Sequence, residues 1–405
     1  MTDIKIIDSI MGSGKTSWAI QYMNEAPTAE KFIYITPFLT EVARVKASVT
    51  DRNFIEPNNA NAHKRKMSSL KDLIVQGADI VSTHSLFQTA DDELVELLTE
   101  SGYTLILDEV MDVIEPVNVN ASDIRKLETS GDIEVNGNKV IWKGDPRDDS
   151  RYRDIRVLAQ AGNLFYHRGK FLVWSFPPKV FRAFDKAFVL TYLFDGQLQR
   201  YYYDMFHFKY SYNAVRSDGE RYELTEYDPQ AENRGEVFKL IDLYDGKLND
   251  VGKRSNALSS TYLRNADIDV LRQIKNNLYN YFQNIAGVKK DQMYWSTLKE
   301  LERPLTPKGY RSRSIPVNAR ATNEYREVEA IAYVFNRYPN PHERAFFEDN
   351  GVKVNVEALA VSDLLQWVWR SRIREGQPIK LYLPSSRMRG LLQDWANYEI
   401  KGASV

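Results

Sequence analysis

Ser9-Ile10-Met11-Gly12-Ser13-Gly14-Lys15-Thr16 is the stretch on which the reading of this chain turns. Before it, DIKIID at 3–8 alternates and then runs apolar like a short strand; after it, KTSWAIQYMNE at 15–25 has helical periodicity. In such a strand-to-helix turn, Gly12 and Gly14 let successive backbone N–H groups point at one anion, and the helix adds the positive end of its dipole. The stretch fits the phosphate-binding loop, with Ser9 standing where the first glycine usually is. Ser9, Met11, Gly12, Ser13, Gly14, Lys15, Thr16 and Ser17 are thus expected to cradle ATP. Lys15 neutralises the phosphates and the Thr16 hydroxyl holds Mg2+.

Further short apolar runs lie at 32–36, 79–83, 104–108 and 188–191, separated by helical stretches such as 38–49 and 91–100. Strands alternating with helices predict a parallel sheet covered on both faces. The run Leu105-Ile106-Leu107 ends in Asp108 and Glu109, and the end of such a strand lies beside the phosphates. There Asp108 suits Mg2+, and Glu109 suits orienting and deprotonating the attacking water. Asp112 reads as a helix-start residue.

With 405 residues, the chain is too long for one ordinary core, so two domains are expected. No cysteine occurs and the five histidines are scattered, which removes disulfides and thiolate metal sites. The first residues are unlike a signal peptide and no run is long enough to span a bilayer, so a soluble cytosolic protein without a membrane partner is expected. A net charge of -1 allows a local basic groove but argues against a packaging or histone-like role.

The pattern of the first domain, 1–195, is interrupted over about 116–182, where Asn136 and Gly137 sit between two strand-like arms and predict a tight hairpin. From 196 the composition changes, starting with the aromatic run at 201–212, and 196–290 carries no motif beyond a helical segment at 267–286. The remaining signals, over 290–400, are strands and helices again.

The order GSGKT, ITPFLTEV (35–42), IVSTHSLF (80–87), LDEVMD (107–112) and FVLTYLF (188–194) resembles the first motor domain of superfamily 2 helicases of the DEAD/DEAH type. It is similar to the compact helicases encoded by bacteriophages. The resemblance implies that Thr36, Pro37, Thr83 and His84 touch a nucleic-acid backbone and that Thr191-Tyr192 couples hydrolysis to movement. Leu190-Thr191-Tyr192 replaces the usual Ser-Ala-Thr there. DLLQWVWRSRIREG at 363–376 resembles the family's arginine motif, with Gln366 and Arg370 matching, Trp369 in place of glycine, and the last arginine displaced to Arg374. Gln366, Arg370 and Arg374 are four apart and predict one stripe of a helix, with Arg372 off it as a surface charge. The 314–327 segment resembles the fifth-motif region, with Arg320, Thr322 and Asn323 as backbone or nucleotide contacts.

The expected fold is α/β: two RecA-like P-loop NTPase domains with parallel sheets, 1–195 and 196–405, and a β-hairpin-containing insertion in the first. Between them ATP and Mg2+ meet Lys15, Asp108 and Glu109 from one side and Gln366, Arg370 and Arg374 from the other. Basic clusters at His63-Lys64-Arg65-Lys66 with Lys71, and at Lys308, Arg311, Arg313 and Arg320, suit phosphates, and Tyr294, Trp295 and the 201–212 run suit stacking or a core. The expected track is nucleic acid, single-stranded DNA first, with replication or recombination proteins as further partners. A phage packaging ATPase and an ATP-switched remodeller or loader without unwinding activity remain open.

Overall fold

The computed structural model describes residues 2–60, 65–310, 313–317 and 325–400. Among these, the largest sheet has eight strands in the spatial order Tyr222–Glu226, Tyr210–Ser217, Asp3–Asp8, Lys186–Thr191, Tyr103–Asp108, Lys31–Thr36, Asp79–Thr83 and Phe54–Ile55. Only the outermost pair, Tyr222–Glu226 on Tyr210–Ser217, is antiparallel. Leu105, Ile106 and Leu107 are all fully buried, because helices cover both faces and leave the central strands no polar side. On one face, the helices Lys15–Glu25 and Leu39–Ser48 pack Trp18, Ala19, Met23, Val42 and Val45 against Tyr34, Ile106 and Phe188.

The insertion is a five-stranded antiparallel sheet in the order Ile114–Pro116, Phe171–Ser175, Leu164–His167, Lys139–Trp142 and Ile133–Asn136. Its predicted hairpin is present, one residue further on. Asn136 still pairs with Lys139, and the two-residue loop is Gly137-Asn138. Gly137 takes φ 65°, which puts glycine at the first loop position as a II′ turn requires. Asp112 starts no helix; it leads into the strand Ile114–Pro116.

The division read at 195 and 196 falls inside a continuous unit. Tyr201, Tyr202 and Tyr203 are fully buried on the helix Leu198–Met205, and Tyr210 and Tyr212 then pair with Ile4 and Ile6 beside the phosphate-binding loop. The aromatic run is core and sheet, with Phe206, Phe208, Tyr210 and Tyr212 partly buried against the same core.

The second unit is a parallel four-stranded sheet, Ile241–Leu243, Ile379–Tyr382, Ala330–Tyr333 and Met293–Ser296, with Trp295, Trp367 and Trp395 fully buried around it. Tyr294 and Trp295 belong to this core. Tyr192, at the end of the first sheet, plugs into the same core, where Trp395 Nε1 donates to its hydroxyl at 2.8 Å and the hydroxyl donates to Glu232 at 2.9 Å. Beside it, Gly196 lies so close to the helix Val356–Val368 that a Cβ there would stand 2.3 Å from the Ala358 carbonyl oxygen. Gln197 bridges the same joint, donating to the Tyr192 carbonyl at 2.9 Å and to Ser362 Oγ at 3.0 Å. The insertion also grips the second unit through the paired bonds from Arg168 to Asp349, at 2.7 and 2.8 Å.

Candidate nucleotide site

The loop after Asp3–Asp8 is held open by backbone geometry. Gly12 and Gly14 take φ 85° and 94°, left-handed values that side-chain-bearing residues rarely adopt. Ser9 explains why a non-glycine is tolerated at the first position: its hydroxyl accepts from Val215 N at 2.8 Å and ties the loop to the strand Tyr210–Ser217. Tyr222, from the edge strand, packs so closely on Gly14 that a Cβ there would lie 2.2 Å from its ring. Lys15 Nζ folds back onto the Ser9 carbonyl at 2.5 Å. Burial holds its ammonium below the ordinary lysine value, with Glu109, Asp8 and Asp108 opposing.

These elements open onto a cavity of about 250 Å³ lined by Met11, Gly12, Gly14, Lys15, Thr16 and Ser17. Across it stand Asp108, Glu109 and Arg44 from the first unit and Gln366, Trp369, Arg370 and Arg374 from the second. Ser9 and Ser13 support the loop without lining that cavity; Ser13 Oγ is buried and has no hydrogen-bond partner. Asp108 is pushed up to about 7, first by burial and then by the Glu109 charge, with the Tyr34 hydroxyl and Lys15 opposing. Glu109 sits at φ 62°, strained for a residue with a side chain, and its N–H donates to the Leu190 carbonyl at 2.9 Å.

The spacing of Gln366, Arg370 and Arg374 predicts one helical stripe, and the structure corrects this. The helix ends at Val368; Ser371 turns extended and donates its hydroxyl back to the Val368 carbonyl at 2.7 Å, while Arg374 sits on the short 3-10 turn Arg372–Glu375. A serine hydroxyl satisfying a last-turn carbonyl competes with continuation of the helix. Both arginines nevertheless reach the cavity, and the Arg374 carbonyl approaches Gly12. Arg372 is no free surface charge: it pairs with Glu329 at 2.9 Å.

Arg370 is the anomaly of the site. It is 4% exposed, yet its Nε and Nη1 have no hydrogen-bond partner among the described residues, and burial lowers it to about 10. A buried, unpaired cation is costly, and an anion in the adjoining cavity removes that cost.

The residues matched to nucleic-acid motifs are placed differently. Thr36 is fully buried and donates to Asp108 Oδ2 at 3.5 Å, while His84 Nε2 donates to the Asp108 carbonyl at 3.0 Å. Thr83 pairs with Thr36 in the sheet. Pro37 and His84 also line a larger cavity of about 540 Å³, which shares Gln366 and Arg370 with the smaller one. Arg320, Thr322, Asn323, Arg311, His63 and Lys64 lie outside the described residues. Of the remaining basic cluster, Lys71 is engaged by Asp91 and Glu93.

Sequence reasoning passed over Arg44, Gln197 and Asp8. Asp8 had a visible signal, a carboxylate closing an apolar strand directly before the loop. It is 1% exposed and accepts from Leu193 N at 2.9 Å and Phe194 N at 2.8 Å, holding Leu193 at φ 53°. Burial pushes it up to about 7. A carboxyl raised from its unfolded value stabilises the fold fully below that unfolded value and loses the contribution as pH rises through about 7. Thermal unfolding of the nucleotide-free protein is therefore expected to show stability falling as pH rises from about 4 to about 7, with Asp8 supplying about 1 kcal/mol of the fall per pH unit. Asp8→Asn should flatten that slope by the same amount; an unchanged slope contradicts the assignment.

The SPbeta prophage-derived protein YonV of Bacillus subtilis (strain 168) is 39% identical over 406 residues, covering 98% of this chain and 99% of that protein. The chain belongs to the YonV family. Residues 114–174 match the YonV middle domain, which is the antiparallel insertion, and residues 235–396 match the YonV C-terminal Rossmann-like domain, which holds the four-stranded sheet. Among solved structures, S. tokodaii Xpd4 superposes with a TM-score of 0.50 at 11% identity, covering 99% of this chain and 94% of that one. The DUF1998 helicase MrfA bound to DNA and AMPPNP gives a TM-score of 0.36 at 10% identity, covering 99% of this chain and 49% of that one. This YonV-family chain therefore shares the α/β fold of Xpd4: two RecA-like units with parallel sheets and an insertion in the first. Among the described residues no helix is long and apolar enough to cross a membrane.

Proposed function

We propose that this chain hydrolyses ATP between its two units and uses the resulting closure to move along single-stranded nucleic acid, DNA first, as a superfamily 2 helicase of the DEAD/DEAH type. The observation that carries this reading is Arg370, a buried guanidinium with unpartnered nitrogens that the second unit brings to the cavity of the phosphate-binding loop and Asp108-Glu109. A cation supplied across a cleft by a second unit fits charge developing on a transferred phosphoryl group and links hydrolysis to the relation between the units.

In this reading the loop N–H groups and Lys15 hold the β- and γ-phosphates, Glu109 orients water and takes its proton, and Arg370 and Arg374 stabilise the transition state. Thr16 and Asp108 offer the hydroxyl and carboxylate oxygens that suit Mg2+, which when bound supplies charge neutralisation between the phosphates. Gln197 and Tyr192 carry the change to the second unit. The prophage origin of the B. subtilis relative supports a setting in phage replication or recombination, inside the host cytoplasm.

One observation favours the second reading, an ATP-switched remodeller that never translocates. The larger cavity between the units carries Asp112, Glu115, Glu343 and Asp363, a lining ill suited to gripping an anionic backbone. Strand displacement separates the two. On a duplex with a single-stranded overhang, ATP-dependent release of the labelled strand, absent with Lys15→Ala, is expected. ATP hydrolysis without release on either overhang polarity would select the switch.

A further inference from the structure

Resting on the nucleotide-site reading above, we propose that Arg44 is a further recognition cation for the terminal phosphate of a bound nucleoside triphosphate, supplied by the first unit and exchanged with Glu41 as that phosphate comes and goes. Arg44 lines the nucleotide cavity from the helix Leu39–Ser48, the helix that follows the strand neighbouring Asp108. No motif in the sequence marks it.

Its present partner is weak. Arg44 Nη1 reaches Glu41 Oε2 at 3.0 Å, one helical turn back, with the arginine side chain 41% exposed and the glutamate 15% exposed. A solvent-accessible pair at this spacing, its arginine half-exposed, contributes little and is readily exchanged. A triphosphate terminus offers more charge and several acceptor oxygens, and a guanidinium binds such a group in a forked, charge-assisted manner. Glu41 lies within electrostatic reach of Asp108, so the pair belongs to the reacting end of the cavity.

The arrangement gives Arg370 and Arg44 different duties. Arg370 is buried, unpaired and delivered by the second unit, so its contact depends on how the units meet. Arg44 already has an alternative partner and sits on the same unit as Lys15, so it can read the third phosphate whatever the second unit does. After hydrolysis and phosphate release, the loss of its anion returns Arg44 to Glu41.

The test is equilibrium binding of Mg-AMPPNP and Mg-ADP to the full chain, wild type beside Arg44→Gln, Arg44→Lys, Glu41→Gln and Lys15→Ala. Arg44→Gln is expected to weaken AMPPNP about tenfold, as one charge-assisted contact would, and to leave ADP unchanged. Arg44→Lys should recover part of that loss, and Glu41→Gln should hold or tighten AMPPNP binding. Equal affinity ratios for AMPPNP and ADP in wild type and Arg44→Gln overturn this proposal while leaving the site reading intact, provided Lys15→Ala weakens both nucleotides. Wild-type protein that binds neither nucleotide, or Lys15→Ala that binds both unchanged, overturns the site reading and this proposal with it.

Discussion

Arg370→Ala is expected to lower kcat for ATP hydrolysis about 1,000-fold while changing ATP affinity by less than about tenfold, as for a residue that acts on the charge of the transition state. The same residue makes a second prediction that an ordinary surface arginine would not. Because its Nε and Nη1 are buried and unpartnered, the nucleotide-free protein carries the cost of that charge. Arg370→Met keeps most of the volume and removes the charge, so thermal or denaturant unfolding of the nucleotide-free protein should show a gain of about 1–3 kcal/mol. An inactive variant more stable than its parent is the signature of a group held in readiness for a ligand. Loss of stability in Arg370→Met would mean instead that the guanidinium is paired in solution and that its role is structural.

Lys15→Ala should reduce hydrolysis by at least about 100-fold and, unlike Arg370→Ala, weaken ATP and ADP binding together. Its ammonium rests on the Ser9 and Ile10 carbonyls at 2.5 and 3.3 Å, within the loop that would hold both phosphates. The contrast between the two variants separates a cradle in the first unit from a trigger in the second. If both variants lost binding equally, Arg370 would belong to the ground-state site.

The loop, Asp108-Glu109 and the central strands were legible because each is local: an apolar run of strand length, a glycine turn and a helix in immediate succession. Arg370 is singled out by the resemblance of 363–376 to an arginine motif, although the helix stops at Val368 and the cavity gathers the arginines by a different backbone path than the four-residue spacing implies. That stop depends on Ser371 being fully buried and bonding backward, which is decided by packing rather than by periodicity. The first sheet's extension through Tyr210–Ser217 was invisible for a related reason. Its pairing with Asp3–Asp8 joins residues about two hundred positions apart, and composition does not report partners at that distance. Thr36 and His84, matched by motif to nucleic-acid contacts, bond Asp108 through their side chains, a partner that lies 72 and 24 positions away and that motif matching does not report.

On the proposed function, hydrolysis in this cleft is governed by a nucleic-acid strand through the joint between the units. Steady-state ATP hydrolysis measured alone and with single-stranded DNA, single-stranded RNA or duplex tests it most directly, with Lys15→Ala and Arg370→Ala run in parallel. Strong stimulation is expected, greatest with single-stranded DNA and abolished in both variants. Hydrolysis indifferent to every nucleic acid, or surviving Lys15→Ala, would contradict it.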